Sequence, residues 1–215
     1  MSTEFYRRVA SRVGRPALQL LGTRRETLTF FGGSPCVSEP FEWPRKKEKP
    51  LSFLGQVDLL ELELDAAAPW LPAAGRLLFF YDLDDGPWGF DPADEGGWAV
   101  IHDPGNGPPG PVPLPDDLED EFRIPGMRFL RGNPYLSIPS LERISPADAG
   151  ISEEEEEDYW SLTADAFAGR PLHQIGGFPE PVQSDSMEEE CQLVSGGVYC
   201  GDSDGYDSAK ACLLY

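Results

Sequence analysis

Apolar residues recur along the chain in short runs, each soon closed by glycine, proline or a group of charges. Phe5, Val9 and Val13 fall at four-residue spacing, which predicts a helix over 3–13, capped by Thr3 and ended by Gly14 and Pro16. Residues 17–21, 51–57, 77–81 and 98–101 read as strands. The unbroken apolar run 77–81 is expected to be buried on both faces. Gly55, inside the second strand, marks a bulge or a close backbone approach. Residues 58–64 suit one or two helical turns with Asp58 as cap. A loop rich in Asp, Gly and Trp spans 82–97, and 104–115 is an extended Pro/Gly connection. A short acidic helix is expected at 116–122, and 123–144 alternates short apolar pieces with Pro and Gly. Ser145 followed by Pro146 resembles a helix start. Residues 152–168 form a helix whose acidic first turn suits the helix dipole. A Gly/Pro loop at 170–182, a helix at 186–194, a loop at 196–207 and a strand-like apolar end at 209–215 follow. The pattern implies an α+β fold of mixed, mostly antiparallel sheets, with short helices and a high loop content.

Charge changes this picture. The formal net charge is −21 over 215 residues, and it is uneven: +5 over 1–50 and −26 over 51–215. So acidic a surface repels phosphate backbones and anionic lipids, which are bound through Lys and Arg. Neither nucleic acid nor a membrane is an expected partner. The basic stretches 7–15 and 45–49 are expected to pair with the acidic remainder of the chain. No apolar run is long enough to span a bilayer, and the N-terminus lacks the apolar core of a signal peptide. Cys36, Cys191, Cys200 and Cys212 are therefore expected to be free thiols in the cytoplasm.

Phe31-Gly32-Gly33-Ser34-Pro35 is echoed by Ile175-Gly176-Gly177-Phe178-Pro179. The echo suggests an internal duplication within one domain spanning 1–215. Its halves would be 17–103 and 170–215, the second incomplete, joined by 104–169. An ordered set of motifs adds to it: Gly32-Gly33-Ser34-Pro35, Trp43-Pro44, Gly55-Gln56-Val57-Asp58, Leu71-Pro72, Gly75-Arg76-Leu77-Leu78-Phe79-Phe80-Tyr81, Trp88-Gly89, His173-Gln174-Ile175-Gly176-Gly177, Gln183 and Cys191-Gln192-Leu193. In this order they resemble the YwqG-like family, uncharacterised bacterial proteins described as a domain of unknown function. The resemblance implies an α+β fold with a duplication. It also implies that relatives continue past Tyr215 with a further turn and apolar strand. A chain without them would carry an open C-terminal sheet edge, through which it would self-associate.

Candidate chemistry is sparse. Gln56, Asp58, His173, Gln174 and Gln183 are the polar positions singled out as ligand-binding candidates. Gln56 and Asp58, two apart, point to one side of a strand. Near glycine loops, such side chains more often satisfy turn backbone groups. Neither His173 nor His102 has a visible nucleophile or carboxylate partner, so no catalytic residue is expected. The acids around Cys191 and Cys200 favour thiol over thiolate, and the cysteine spacing does not suit zinc. Asp202-Ser203-Asp204-Gly205-Tyr206-Asp207 and the trio Asp82, Asp84 and Asp85 suggest the start of a calcium loop. The distal bidentate Glu is missing, because Leu213 stands there. No metal and no cofactor is expected.

Two functional readings lead, with a calcium-dependent module as a third. The first is a non-enzymatic cytoplasmic interaction protein that binds a basic protein partner. Its possible immunity-type form, neutralising a basic toxin, comes from the resemblance. The alternative is an enzyme or small-ligand binder with a cleft between the repeats near His173 and Gln56.

Overall fold

The computed structural model describes residues 3–89, 91–167, 173–179 and 187–199. In chain order the elements are α1 (Thr3–Val13), β1 (Arg15–Gly22), β2 (Phe30–Phe31), β3 (Cys36–Val37), β4 (Arg45–Lys46), β5 (Lys49–Pro50), β6 (Ser52–Asp58), β7 (Arg76–Tyr81), β8 (Trp98–Asp103), β9 (Gly110–Pro111), β10 (Arg128–Ser137), α2 (Pro146–Ala149), α3 (Glu156–Phe167), β11 (Gln174–Gly176) and α4 (Met187–Ser195). Short 3-10 turns stand at Pro92–Asp94, Asp120–Phe122 and Glu153–Glu155. The fold is α+β, with antiparallel strand pairs and few helices. Two compact units share the chain, each assembled from separate stretches.

Among the described residues, the first unit contains 3–27, 58–74, 129–167 and 173–179. Here β1 lies between β11 and β10, antiparallel to both. In β10 the structure adds a ten-residue strand to a region whose Gly132 and Pro134 argue against one. Register explains it. Thr23 N donates to Phe129 O, so bonded pairs alternate from there, and Pro134, opposite Leu18, falls at a non-bonded position. Its missing N–H would have pointed away from β1, so the ring removes no β1–β10 bond. Gly132 lies where an added Cβ would stand 2.7 Å from a Leu18 methyl.

Helix α1 packs against α2. Val9, Ala149, Ile151 and Tyr159 form a closed core, with Phe5, Val13, Ile138, Leu141 and Ile144 against it. Phe5, Val9 and Val13 are the stripe read from spacing. Ser145 caps α2 and Gly150 ends it in the left-handed region, at φ 68°. Ser152 and Glu155 make a capping box ahead of α3, whose first turn holds Glu156, Glu157 and Asp158. Asp58 closes β6 and its carboxylate accepts from Leu60 N and Glu61 N. The turns that follow bury Leu59, Leu62, Leu64, Ala67 and Ala68.

The second unit contains 28–57, 75–128 and the stretch that carries α4. Its strands run in the order β2-β6-β7-β8, with β3 paired to β9 and β4 to β5. An aromatic core stands on this sheet. Phe53 and Phe80 have ring centroids 5.5 Å apart, Trp43 meets Phe80 at 5.2 Å, and Phe30 meets Phe53 at 6.3 Å. The half-buried Trp43 donates its indole N–H to Leu51 O at 2.9 Å. Gly55 marks the expected close approach, since a Cβ there would lie 2.5 Å from Phe30 O.

Two further expectations need correcting. Strand β7 is not buried on both faces: Arg76, Leu78 and Phe80 are buried and the residues between them half-exposed. The helix expected at 116–122 shrinks to a single 3-10 turn, Asp120–Phe122. Leu118 is the only apolar residue before Phe122, and like charges at helical spacing repel. The strand-like segment 209–215 lies outside the described residues.

Candidate functional site

Gln56 sits on β6 opposite Phe30 of β2 and is fully buried. Its side-chain oxygen accepts from Cys36 N at 2.8 Å, and its Nε2 donates to Leu28 O at 2.8 Å. Both ends of the amide thus hold backbone that belongs to no long strand. Beside it lies a group that hydrophobic patterning does not single out. Arg76 enters the apolar run of β7 as its only charge, and its Nη1 reaches Asp103 Oδ2 at 2.7 Å and Ser38 Oγ at 3.0 Å. Both side chains of this ion pair are less than a tenth exposed. Ser38 N donates to the same carboxylate at 3.0 Å. The sequence signal for Arg76 was a lone cation in a strand destined for a core, which requires a buried partner. Asp103, facing Arg76 across the β7–β8 pair, could be found only from the register.

Cys36 stands between these groups. Burial pushes its thiol up, the Arg76 charge draws it down and the Asp103 charge raises it again. A raised thiol is the reverse of what nucleophilic cysteine chemistry needs. Cys36 and Cys191 are free cysteines.

In the first unit, Gln174 on β11 accepts a hydrogen bond from the Tyr135 hydroxyl, and its Nε2 donates to Gly176 O at 3.2 Å and Phe178 O at 2.6 Å. Phe178 N donates to the buried Ser137 hydroxyl at 3.0 Å, and the Arg15 guanidinium lies 4.3 Å from the Phe178 ring centroid. His173 is exposed, and its carbonyl accepts from Leu20 N. Gln174 and Asp58 both make bonds that shape turns. Gln183 lies outside the described residues, as do Cys200, Cys212 and the aspartates of 202–207. The two glycine pairs adopt matching conformations: Gly32 and Gly33 have φ of 73° and 71°, and Gly176 and Gly177 have 72° and 73°. A Cβ on Gly176 would stand 2.1 Å from Ala67 O, so both the conformation and the space require glycine there.

Arg45, Lys46 and Lys49 find acidic partners as expected, whereas in the first basic stretch only Arg8 does among the described residues, and Arg12 donates to the Asp148 and Ala147 carbonyls instead. Arg8 pairs with Glu155. Arg45 forms a fork on Asp117 at 2.7 and 3.1 Å, Lys46 lies 3.4 Å from Asp82 and 3.1 Å from Asp85, and Lys49 pairs with Asp84. The Lys46 hydrogen bond holds the Asp85 carboxyl below its usual range, and the Arg45 hydrogen bond does the same for Asp117. The trio Asp82, Asp84 and Asp85 is thus bound to lysines, and the Asp82 carboxylate also accepts from Asp84 N and Asp85 N. Among the described residues no three His, Cys, Asp or Glu side chains are grouped so as to hold a metal ion. A depression beside these pairs, lined by Lys49, Ser52, Asp82, Asp84, Asp117 and Glu119, has a volume of about 30 Å³. That is room for a water molecule or two, far below the several hundred Å³ of a metabolite pocket.

Among the described residues, no helix is long and apolar enough to cross a membrane. What the surface offers outward is carboxylates and large aromatic rings: Trp70, Trp88, Trp98 and Trp160 are all between 44% and 75% exposed. No curated protein matches the chain. A family described as Domain of unknown function (DUF1963) matches residues 29–212, a span that carries Gln56, the Arg76–Asp103 pair and both glycine turns. On that match, the chain belongs to the DUF1963 family, an uncharacterised domain.

Proposed function

We propose that this protein is a non-enzymatic interaction module that binds a basic protein partner. One observation carries the reading. From residue 77 to residue 122 the chain has twelve Asp and Glu and no Lys or Arg. Within the second unit the cations that reach this stretch come from outside it, at Arg45, Lys46, Lys49, Arg76 and Arg123. Carboxylates in excess of these partners set up a field that draws in cations and raises association rates with basic surfaces. The inward use of the Gln56 and Gln174 amides supports the same reading, because a ligand site needs polar groups that stay available. We further place the chain in the YwqG-like branch of uncharacterised domains on its motif order. An immunity-type role is the form of partner binding that this placement favours.

The test is affinity capture from the source organism with the tagged 215-residue chain, followed by mass spectrometry. The expected result is a strongly basic protein that elutes with added salt and rebinds when purified. Recovery of only acidic or neutral proteins, or a purified basic candidate that fails to rebind, overturns the reading.

A further inference from the structure

Strand β8 ends the strand order of its sheet. Among the described residues none pairs with it on the side away from β7. Its register with β7 runs from Arg76↔Asp103 to Tyr81↔Trp98, and Asp82 N donates to Gly97 O at 2.8 Å just beyond. Bonded pairs therefore fall at Gly97, Ala99, Ile101 and Asp103. The backbone N–H and C=O of Trp98 and Val100 must then point outward, away from β7. Trp98 is 44% exposed and Val100 58%, and as alternate residues they share one face of the strand. Natural edge strands are protected by lysine, proline or a bulge. The residues of β8 include no lysine and no proline, and its register with β7 has no bulge.

We propose that this edge is the docking site itself: a basic extended segment of the partner adds to β8 as a further strand. Its backbone pairs with Trp98 and Val100, its apolar side chains lie beside theirs, and its Lys and Arg meet the carboxylates of the β7–β8 connection. This inference rests on the interaction-module reading. Charge selects the occupant. The connection 82–97 carries six Asp and Glu and no Lys or Arg. Lys46 and Lys49 engage Asp82, Asp84 and Asp85, whereas Asp91, Asp94 and Glu95 make no ion pair among the described residues. A second copy of this chain would bring the same acidic connection against itself, with a net charge of −21 on each copy. A basic strand gains from that field, and main-chain pairing gives affinity with specificity from alternate side chains.

The test uses the full chain and a short synthetic peptide of alternating lysine and valine, with a glutamate–valine peptide as control. Two variants probe the edge. Val100→Pro removes an outward N–H and leaves the β7 ladder intact, and Val100→Lys adds a like charge to the incoming peptide. Thermal melting checks that both fold, and Val100→Lys stands alone if the proline variant does not. The expected result is binding of the basic peptide only, new amide exchange protection at Trp98 and Val100, and a loss of affinity of about tenfold or more in the variants. If the peptide binds wild type and variants alike, or protects other amides, the edge proposal falls while the basic-partner reading stands. Absence of peptide binding, with a captured basic protein still bound by wild type and variants alike, has the same meaning. If no basic protein is captured either, both fall. A wild-type dimer in light scattering that Val100→Lys dissolves makes a second copy the occupant and overturns the basic-segment proposal.

Discussion

Gln56 shows how one side chain can hold a fold's irregular backbone together. Its amide accepts from Cys36 N and donates to Leu28 O. Removing the amide takes a hydrogen bond from each of these half-buried backbone groups and leaves an apolar side chain in its place. Gln56→Leu is expected to cost about 2–4 kcal/mol in urea unfolding. Asp103→Ala strands the Arg76 charge in the interior and is expected to cost about 3–5 kcal/mol by the same measurement. Tyr159 is fully buried and donates to Pro139 O at 2.7 Å, and burial raises its phenol to about 12. The folded state then keeps a proton that the unfolded state gives up at an ordinary tyrosine value. Stability is therefore intact below about pH 10 and falls as pH rises toward 12. Melting curves across that range should show the fall in wild type and a smaller one in Tyr159→Phe, which is less stable at neutral pH. Gln56 was visible in the sequence as a polar residue in a strand. Which groups it would serve was not, because Leu28 and Cys36 are brought to it by chain segments on both sides of β2.

Among the elements, those with a periodic stripe were legible. The α1 helix, the strands β1, β6, β7 and β8, the capped start of α2 and the acidic first turn of α3 all lie close to where spacing and residue type place them. Local rules suffice there because the signal and the structure share the same few residues. Strand β10 was not legible, since Pro134 is tolerated only through its register with β1. The glycine turns separate conformation from space. At Gly33 an added Cβ meets the flexible Met127 side chain at 2.7 Å, whereas at Gly176 it meets the Ala67 backbone oxygen at 2.1 Å. Gly33→Ala is expected to cost about 1–2 kcal/mol from its left-handed backbone, and Gly176→Ala clearly more. Chemical denaturation of the two variants side by side checks the order.

At the scale of the whole molecule, the excess of carboxylates opposes its own compaction. With a net charge of −21, self-repulsion outweighs the exposed ion pairs, each worth little alone. The melting temperature should rise as sodium chloride goes from about 20 mM to about 300 mM, the range over which screening sets in. A fall would mean that the Lys46, Lys49 and Arg45 pairs dominate instead. Composition and order of residues were enough to determine the α+β class, the excess of acidic residues and most elements with a stripe. These depend on residue type and short spacing, which the chain carries in itself. Tertiary structure alone decided that Asp103 answers Arg76, that Gln56 and Gln174 turn inward to backbone, and that Trp98 and Val100 face outward at the end of a sheet. Each of these depends on which strands become neighbours and in what register, and a shift of one residue would turn every side chain to the other face.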